Sequence, residues 1–540
     1  MTVSNSDLGN LTEPVAKTAV PPSIPIDDLI RETLMESKEA FEDPYVFSRP
    51  IRRVAVIGSG PSGVSIYRGM EVRVFERNPE VGGTWLYNDV SPAKPSVPSN
   101  RFSSTETSPP VPENGVLEEE VDLTPEMERW LVKEYPPSAC YFGLHCNTGT
   151  PILQLEDFPW PEDTPPFVSH ADVCNYLKSY AEKFGLYPLI EFNTSVKQIC
   201  KNQDGSWSVT LTKVERFDQK VRIKRWKESF DAVAVASGAH QDPYIPDFKG
   251  LKEYNALWPE KVMHSKQFRH PRTFKDKNVV IVGGRVSAVD ISRHLNGITR
   301  NVYLSFRGSF ECSSQVINSF RSAIPEGVIH KSGIQSFTNK DGKVDGTITL
   351  EDGTTLDDID QVILCTGYMV DLPFLGDLRV HTDDAEPSTM SQNTVRADGK
   401  RAIDTYREIF HIGDPTLAFV GFPSHLTLMR FFSYQSNAVA RVWEGTARLP
   451  NQTKMKSITE QRQAPCNPDD LTGDSERLRA QGIITWLNHH AEFNDVKDLK
   501  TLKNYDPEFS SIWLPLFMRW KEDSEKTIAE TKEKELMHCA

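Results

Sequence analysis

A chain of 540 residues can bury several hydrophobic cores, and at about 150 residues per domain it has room for two to four of them. Its formal net charge of -14 argues against a nucleic-acid surface, which needs a clustered basic face. No apolar run reaches the roughly 18 residues that span a bilayer, no signal-peptide layout opens the chain, and the eight cysteines are scattered without a CxxC pair, so a cytoplasmic protein with no membrane span and no metal site is expected.

Residues 1–49 are polar and proline-containing and read as a flexible arm, with one amphipathic stretch, Ile26 to Ala40, as a peripheral helix. The apolar strand Arg53-Val54-Ala55-Val56-Ile57 then runs into Gly58-Ser59-Gly60-Pro61-Ser62-Gly63. A second strand, Val72-Arg73-Val74-Phe75, ends at Glu76. In such a unit the glycines let the backbone approach a pyrophosphate, which rests on the positive end of the following helix. Glu76 is placed to accept hydrogen bonds from ribose hydroxyls and would repel a 2′-phosphate, so FAD or NAD fits this unit and NADP does not. Only seven residues, Val64 to Met70, separate Gly63 from Glu71, which predicts a helix of roughly 10 Å that turns back early.

Ser91 to Gly115 is rich in Pro, Ser, Thr and Asn and reads as an irregular insertion. The run Glu118-Glu119-Glu120 reads as a solvated segment. Ala171 to Phe184 carries apolar residues at helical spacing and predicts a helix with one buried face. Ser206 to Thr212 and Val221 to Phe230 alternate like an antiparallel meander, followed by the fully apolar strand Ala232 to Ala236.

A second glycine turn follows at Asn278-Val279-Val280-Ile281-Val282 into Gly283-Gly284-Arg285-Val286-Ser287-Ala288, and the next strand is Asn301 to Arg307. Where the first unit has Glu76, this one offers Ser305, Phe306 and Arg307. Arg307 can fork onto a 2′-phosphate while its plane stacks on adenine. The phosphates are also the natural partner for Arg285. One such motif is a weak signal, but two with opposite ribose partners predict FAD at the first turn and NADPH at the second. Small-residue turns at Ser237-Gly238 and Thr366-Gly367 mark crossings between two nucleotide domains. The expected architecture is α/β: a FAD domain of residues 50–243 and 361–450, interrupted by a smaller NADP domain of 244–360, both Rossmann-like, with a helical tail over 451–540 whose most apolar part is Ile512 to Phe517.

From Arg53 to Gly445 the chain resembles the flavin-containing monooxygenases, the fungal and yeast-like members above all. The resemblance rests on both glycine turns, on Glu76-Arg77-Asn78 with Gly82-Gly83-Thr84-Trp85, and on Tyr141-Phe142-Gly143-Leu144-His145-Cys146-Asn147. It rests also on Asp157-Phe158-Pro159-Trp160, on His264-Ser265-Lys266-Gln267-Phe268-Arg269 and on Thr366-Gly367-Tyr368. The family fingerprint stands here as Trp258, Glu260, His264 and Phe268, without its glycine. The resemblance implies that Gly58, Gly60, Gly63, Glu76, Arg77, Gly83, Thr84, Trp85 and Leu144 serve the flavin. It further implies that Gly283, Ser287, Ala288 and Arg307 serve NADP, with His264, Arg269, Thr366 and Gly367 close to the cofactors. Asn147 is then the residue at the flavin face.

The implied activity is an NADPH-dependent monooxygenase of the N,N-dimethylaniline type. Molecular oxygen adds at flavin C4a, and the hydroperoxide passes its distal oxygen to a soft nitrogen or sulfur of a small molecule. Two other readings stay open: a Baeyer–Villiger ketone monooxygenase, against which Phe268-Arg269 stands where Trp-Pro or Trp-Asp is usual, and a nucleotide-binding relative that retains FAD poorly because its first helix is short. Taken without the resemblance, His264 reads as a hydrogen-bonded histidine, Asn147 as a turn residue, Cys365 as a buried strand residue and Trp85 as core packing.

Overall fold

A computed structural model describes residues 25–65, 70–102, 111, 115–312, 314–381, 394–397, 399, 402, 404–422, 428–462, 473–494, 501–506, 515–523, 525–526 and 528–529. Two sheets dominate it. In the first, strands pair in the order Thr405–Tyr406, Phe410–His411, Leu417–Phe419, Ala232–Val235, Arg53–Ile57, Glu71–Phe75 and Ile190–Glu191. The last five are mutually parallel. Side chains alternate across a strand, so the central apolar runs feed two cores at once. Val54, Val56, Val72, Val74, Ala232 and Ala234 join the core beneath the helices, while Ala55, Ile57, Phe75, Val233 and Val235 join the core beneath the meander. That double burial is why the strands read as continuous apolar runs.

The second sheet is wholly parallel, in the order Val262–His264, Gln361–Leu364, Asn278–Val282, Asn301–Ser305 and Val328–Lys331. It follows Ala232–Val235 in sequence, and the chain returns to the first sheet at Thr405–Tyr406, so the second sheet is inserted between strands of the first. Gln361–Leu364 lies at the heart of the second sheet, although the sequence reading ended that unit at residue 360. The two crossings touch: Asp242–Pro243 pairs antiparallel with Tyr368–Met369, and Thr366 Oγ1 donates to the Tyr244 carbonyl at 2.5 Å.

The helix His170–Lys183 forms where its apolar spacing places it, closed by a capping box between Ser169 and Asp172. Two elements differ from expectation. Glu118 to Glu120 is not merely a solvated segment: Leu117–Asp122 is the edge strand of the meander, antiparallel to Lys220–Phe230. Its carboxylates meet arginines on the neighbouring strand, Glu120 with Arg222 at 2.8 Å and Glu119 with Arg225 at 2.5 Å. The second difference follows Gly63, where the described chain makes one 3-10 turn, Gly63–Ser65, and residues 66–69 lie outside the described set. A different helix lies against that turn. Leu428–Glu444 packs there, and its Ser436 hydroxyl donates to the Ser62 carbonyl at 3.3 Å.

Arm and tail are packed together. The helix Ile26–Glu42 lies along Gly473–Phe493, with Phe41 stacked on Phe493 at 3.8 Å and on His490 at 4.2 Å. Of the apolar tail, residues 507–514 lie outside the described set and 515–523 are helical. Among the described residues, no helix is long and apolar enough to cross a membrane.

Candidate functional site

Two glycines of the first turn, Gly58 and Gly63, leave no room for a side chain. Gly58 has φ +102°, and a Cβ there would stand 2.7 Å from the Ala236 carbonyl oxygen on the neighbouring strand. A Cβ on Gly63 would fall 1.9 Å from the Gly58 oxygen. Gly60 differs: its Cβ would meet nothing nearer than the Gly83 Cα at 3.4 Å, so here the missing side chain leaves a face open. Gly83–Trp85 makes a 3-10 turn directly over Gly60, with Thr84 and Trp85 half-buried and Trp85 packed against the large core. The sequence elements read as a flavin cradle are thus brought together.

Glu76 is 3% exposed at the end of its strand. Its Oε2 accepts from Ser59 N at 2.7 Å and Ser59 Oγ at 3.0 Å, and its Oε1 accepts from Asn78 N and Asn78 Nδ2, both at 2.8 Å. A carboxylate has about four lone-pair directions, and these four donors already occupy them, so a ribose hydroxyl bound at Glu76 would have to replace one of them. Arg77 reaches across to the Gln241 side chain on the first crossing.

One residue of this cradle escaped the sequence reading. Gln435, on Leu428–Glu444, is fully buried and its Oε1 accepts from Gly421 N at 3.0 Å, while its Nε2 has no hydrogen-bond partner. Gly421 in turn lies against Ser62 of the glycine turn, where its Cβ would fall 1.9 Å from Ser62 Oγ. A buried amide donor with no partner among the described residues, on a side chain bonded to Gly421 beside the glycine turn, fits a phosphate-bearing cofactor that would supply the acceptor. The short glycine-ended strand Leu417–Phe419 was the signal that could have located it.

The second turn repeats the logic. Gly283 has φ +136°, and a Cβ would stand 2.4 Å from the Cys365 carbonyl. The helix Val286–Leu295 starts at Arg285; Ser287 is exposed on its first turn and Ala288 is fully buried against the sheet. Its unpaired backbone N–H groups suit an anion. Arg307 follows Asn301–Ser305 with its side chain 73% exposed, its Nε 3.7 Å from Glu351 and its guanidinium 5.9 Å over Phe248. Arg321, absent from the sequence reading, stacks on Phe306 at 4.3 Å and donates to the carbonyls of Gly284, Ser309 and Phe310. It stiffens the floor of the same concavity.

His264 and Arg269, expected near cofactor, are committed to the protein itself. The His264 ring is fully buried; Nε2 donates to the Gly367 carbonyl at 2.9 Å, and Nδ1 accepts from Lys266 N at 3.1 Å. It latches the edge strand of the second sheet to the Thr366-Gly367 crossing. The Arg269 guanidinium donates from Nε to the Val90 carbonyl, from Nη1 to the carbonyls of Cys140, Lys266 and Phe268, and from Nη2 to that of Ser138. Most of its donors thus go to holding these loops together. Cys365 is buried and its thiol pushed up to about 12 by that burial, so it acts as strand packing. Lys266 sits between the units, its Nζ donating to the Gln241 carbonyl at 2.5 Å, and burial holds it down to about 7.

Burial also holds His264 at about 4, which gives acid stability a sign. The unfolded ring takes a proton near its ordinary value of 6.5 and the folded ring only near 4, so between those pH values the unfolded state binds more protons and stability falls as pH falls. The full window is worth about 3 kcal/mol for this ring. Urea unfolding of His264→Gln, compared with the parent at pH 7 and at mildly acidic pH, is expected to show a smaller acid loss in the variant.

Asn147 is half-buried on the loop between Leu144 and Gly149, and its Oδ1 receives a long contact from Thr148 Oγ1 at 3.5 Å. His170 lies beside this loop: its backbone N–H donates to the Leu144 carbonyl at 2.9 Å, and its ring meets that of Tyr87, two residues past Trp85, at 5.2 Å. Leu144 itself packs against the core of the second unit.

The family model for flavin-binding monooxygenase-like proteins matches residues 133–342 and 321–513. The chain is 30% identical over 496 residues to the flavin-containing monooxygenase ustF2 of Aspergillus flavus, covering 85% of this chain and 95% of that one. It is 29% identical over 448 residues to the flavin-containing monooxygenase iboF of Amanita muscaria, covering 78% and 84%. Among solved structures, S-allyl-L-cysteine S-oxygenase from Allium sativum shares the fold with a TM-score of 0.61 at 23% identity, covering 89% of this chain and 98% of that one. Tmm from Pelagibacter shares it with a TM-score of 0.56 at 20% identity, covering 88% and 91%. With two interlocked dinucleotide units and matches of this extent, the chain belongs to the flavin-binding monooxygenase-like family, whose cofactors are FAD and NADPH.

Proposed function

We propose that this protein oxygenates a soft nitrogen or sulfur atom of a small molecule, in the manner of an N,N-dimethylaniline monooxygenase, with FAD in the first cradle and NADPH in the second. The observation that carries the reading is the contrast between the two strand ends: a buried carboxylate at Glu76 and an exposed guanidinium at Arg307. FAD supplies the activated oxygen when bound and reduced. The chain's own residues bind, orient and exclude water. Gly60, Gly83 and Gln435 hold the FAD phosphates; Ser287 and Arg307, with Arg285, hold those of NADPH. Asn147 presents an amide that donates and accepts but carries no acidic proton, so it orients the oxygenating group without discharging it as peroxide. No acid–base triad is required of the protein. The FAD portion is taken as 50–243 and 361–450 around an NADP portion near 244–360, and the pairing of Gln361–Leu364 with Val279–Val282 supports ending the NADP portion a few residues later. A cytoplasmic location suits the chain.

The test is NADPH consumption by the flavin-loaded protein with a panel of thiols, sulfides, amines and ketones, with peroxide measured alongside. Oxygenated sulfide or amine is the expected product. Turnover of ketones alone to esters assigns the Baeyer–Villiger activity instead, and a protein that cannot be reconstituted with FAD is the non-catalytic relative. Asn147→Asp, which sets a negative charge at the flavin face, is expected to keep its flavin and lower product per NADPH by about tenfold, the difference appearing as peroxide.

A further inference from the structure

The loop that carries Asn147 is held at both ends, and both fastenings run to the helix Val286–Leu295. At its start, the Tyr141 hydroxyl donates to Asp290, and the Tyr141 ring meets His294 edge-on at 5.5 Å. At its end, the helical stretch 515–523 seals the chain down. A Cβ built on Gly149 would stand 3.0 Å from Leu516 Cδ1 and 3.4 Å from Cδ2, so the Leu516 methyls lie against the backbone two residues beyond Asn147. Phe517 and Trp520 are 1% and 3% exposed, and they close a core with Ile152 of the same loop and with Val289, Phe320 and Ala323 of the NADP unit. Phe320 meets Phe517 at 4.7 Å and Trp520 at 5.6 Å, and Arg293 lies over Trp520 at 4.4 Å.

We infer that Leu516 is a positioning residue of the oxygenation site: through Gly149 it fixes the backbone that presents Asn147, with Phe517 and Trp520 anchoring it to the NADP unit. The inference rests on the role given to Asn147 above and adds what holds that residue in place. Three consequences separate it from simple tail packing. The contact is backbone to side chain, so the glycine is part of it. It lies in sequence 97 residues past Phe419, the end of the first sheet's last strand, yet touches the loop next to the proposed reacting position. Its removal loosens orientation rather than binding. A displacement near 1 Å at a reacting centre costs about a hundredfold in rate, and a loosened Asn147 is expected to show that cost as uncoupling.

The experiment uses the full-length, flavin-loaded protein and measures peroxide formed per NADPH oxidised, with flavin content and the KM for NADPH alongside. Leu516→Ala is expected to raise the peroxide fraction about fivefold with flavin content retained, and Leu516→Met, which refills the space, to restore coupling. The decisive arm is compensation. A methyl added at Gly149 fills the space that Leu516→Ala empties, so the double variant Gly149→Ala with Leu516→Ala is expected to couple better than Leu516→Ala alone. If Leu516→Ala does not fold, Gly149→Ala and Leu516→Met carry the comparison, with Gly149→Ala expected to uncouple by crowding. Parent-like coupling in Leu516→Ala, or a double variant no better than the single, overturns the inference. Should Asn147→Asp itself leave coupling unchanged, the Asn147 reading falls and this one with it; uncoupling in Asn147→Asp but not in Leu516→Ala removes this one alone.

Discussion

Gly60→Ala is expected to yield a folded but colourless protein, and Gly63→Ala to lose both the flavin and its stability. The two glycines sit three residues apart in one turn, and the difference between them is steric. A Cβ on Gly63 would lie 1.9 Å from the Gly58 oxygen, inside any contact distance, and the obstacle is backbone that cannot swing away. Relieving it means opening the turn between Arg53–Ile57 and Glu71–Phe75, at a cost of about 3 kcal/mol or more. A Cβ on Gly60 would meet only the Gly83 Cα at 3.4 Å, and Gly60 is not among the glycines with positive φ, so the apoprotein accepts alanine. That methyl would occupy the open face beneath Gly83–Trp85 where the proposed pyrophosphate site lies. Visible flavin absorbance of the purified variants and their melting temperatures check both halves. A yellow Gly60→Ala protein with parent-like FAD affinity would remove the pyrophosphate from this turn.

Arg307→Ala is expected to weaken NADPH by about thirtyfold to a hundredfold while changing NADH less than about threefold, since a charge-assisted bond to phosphate is worth roughly 2–3 kcal/mol. The side chain extends from the end of Asn301–Ser305 into solvent, with Glu351 3.7 Å from its Nε. That carboxylate holds the guanidinium loosely in place and gives way to a dianionic phosphate. Steady-state KM values for both nucleotides, at low and high salt, make the measurement. Equal losses for NADPH and NADH would withdraw the 2′-phosphate from Arg307 and turn attention to Arg285. Arg321 is the control: its guanidinium already serves the Gly284, Ser309 and Phe310 carbonyls, so Arg321→Ala should disturb both nucleotides alike.

The limits of sequence reading follow from chain distance. Leu117–Asp122 was missed because an edge strand with three consecutive glutamates has no apolar alternation to betray it; its pairing is with arginines roughly a hundred residues on. The resemblance places Arg269 close to the cofactors, but its hydrogen bonds to the protein are not legible in the sequence. Its actual partners include carbonyls 129 and 131 residues earlier, left unpaired by an irregular loop whose course no local pattern records. Gln435 and Leu516 escaped for the same reason, each meeting a glycine turn or loop from a helix far along the chain.

What the sequence determined by itself was the pair of dinucleotide units, their order and the opposite chemistry of Glu76 and Arg307. Parallel strands buried on two faces must be apolar throughout, and turns with no room for a Cβ must be glycine, so both constraints are written locally. The tertiary structure alone decided which polar groups remain for a cofactor and which are consumed in holding loops together, as with His264 and Arg269. It alone set helix 428–444 against the glycine turn and the stretch 515–523 against the Asn147 loop. Those outcomes depend on which donors, acceptors and apolar faces are left over once distant segments have packed, and no single stretch of chain contains that balance.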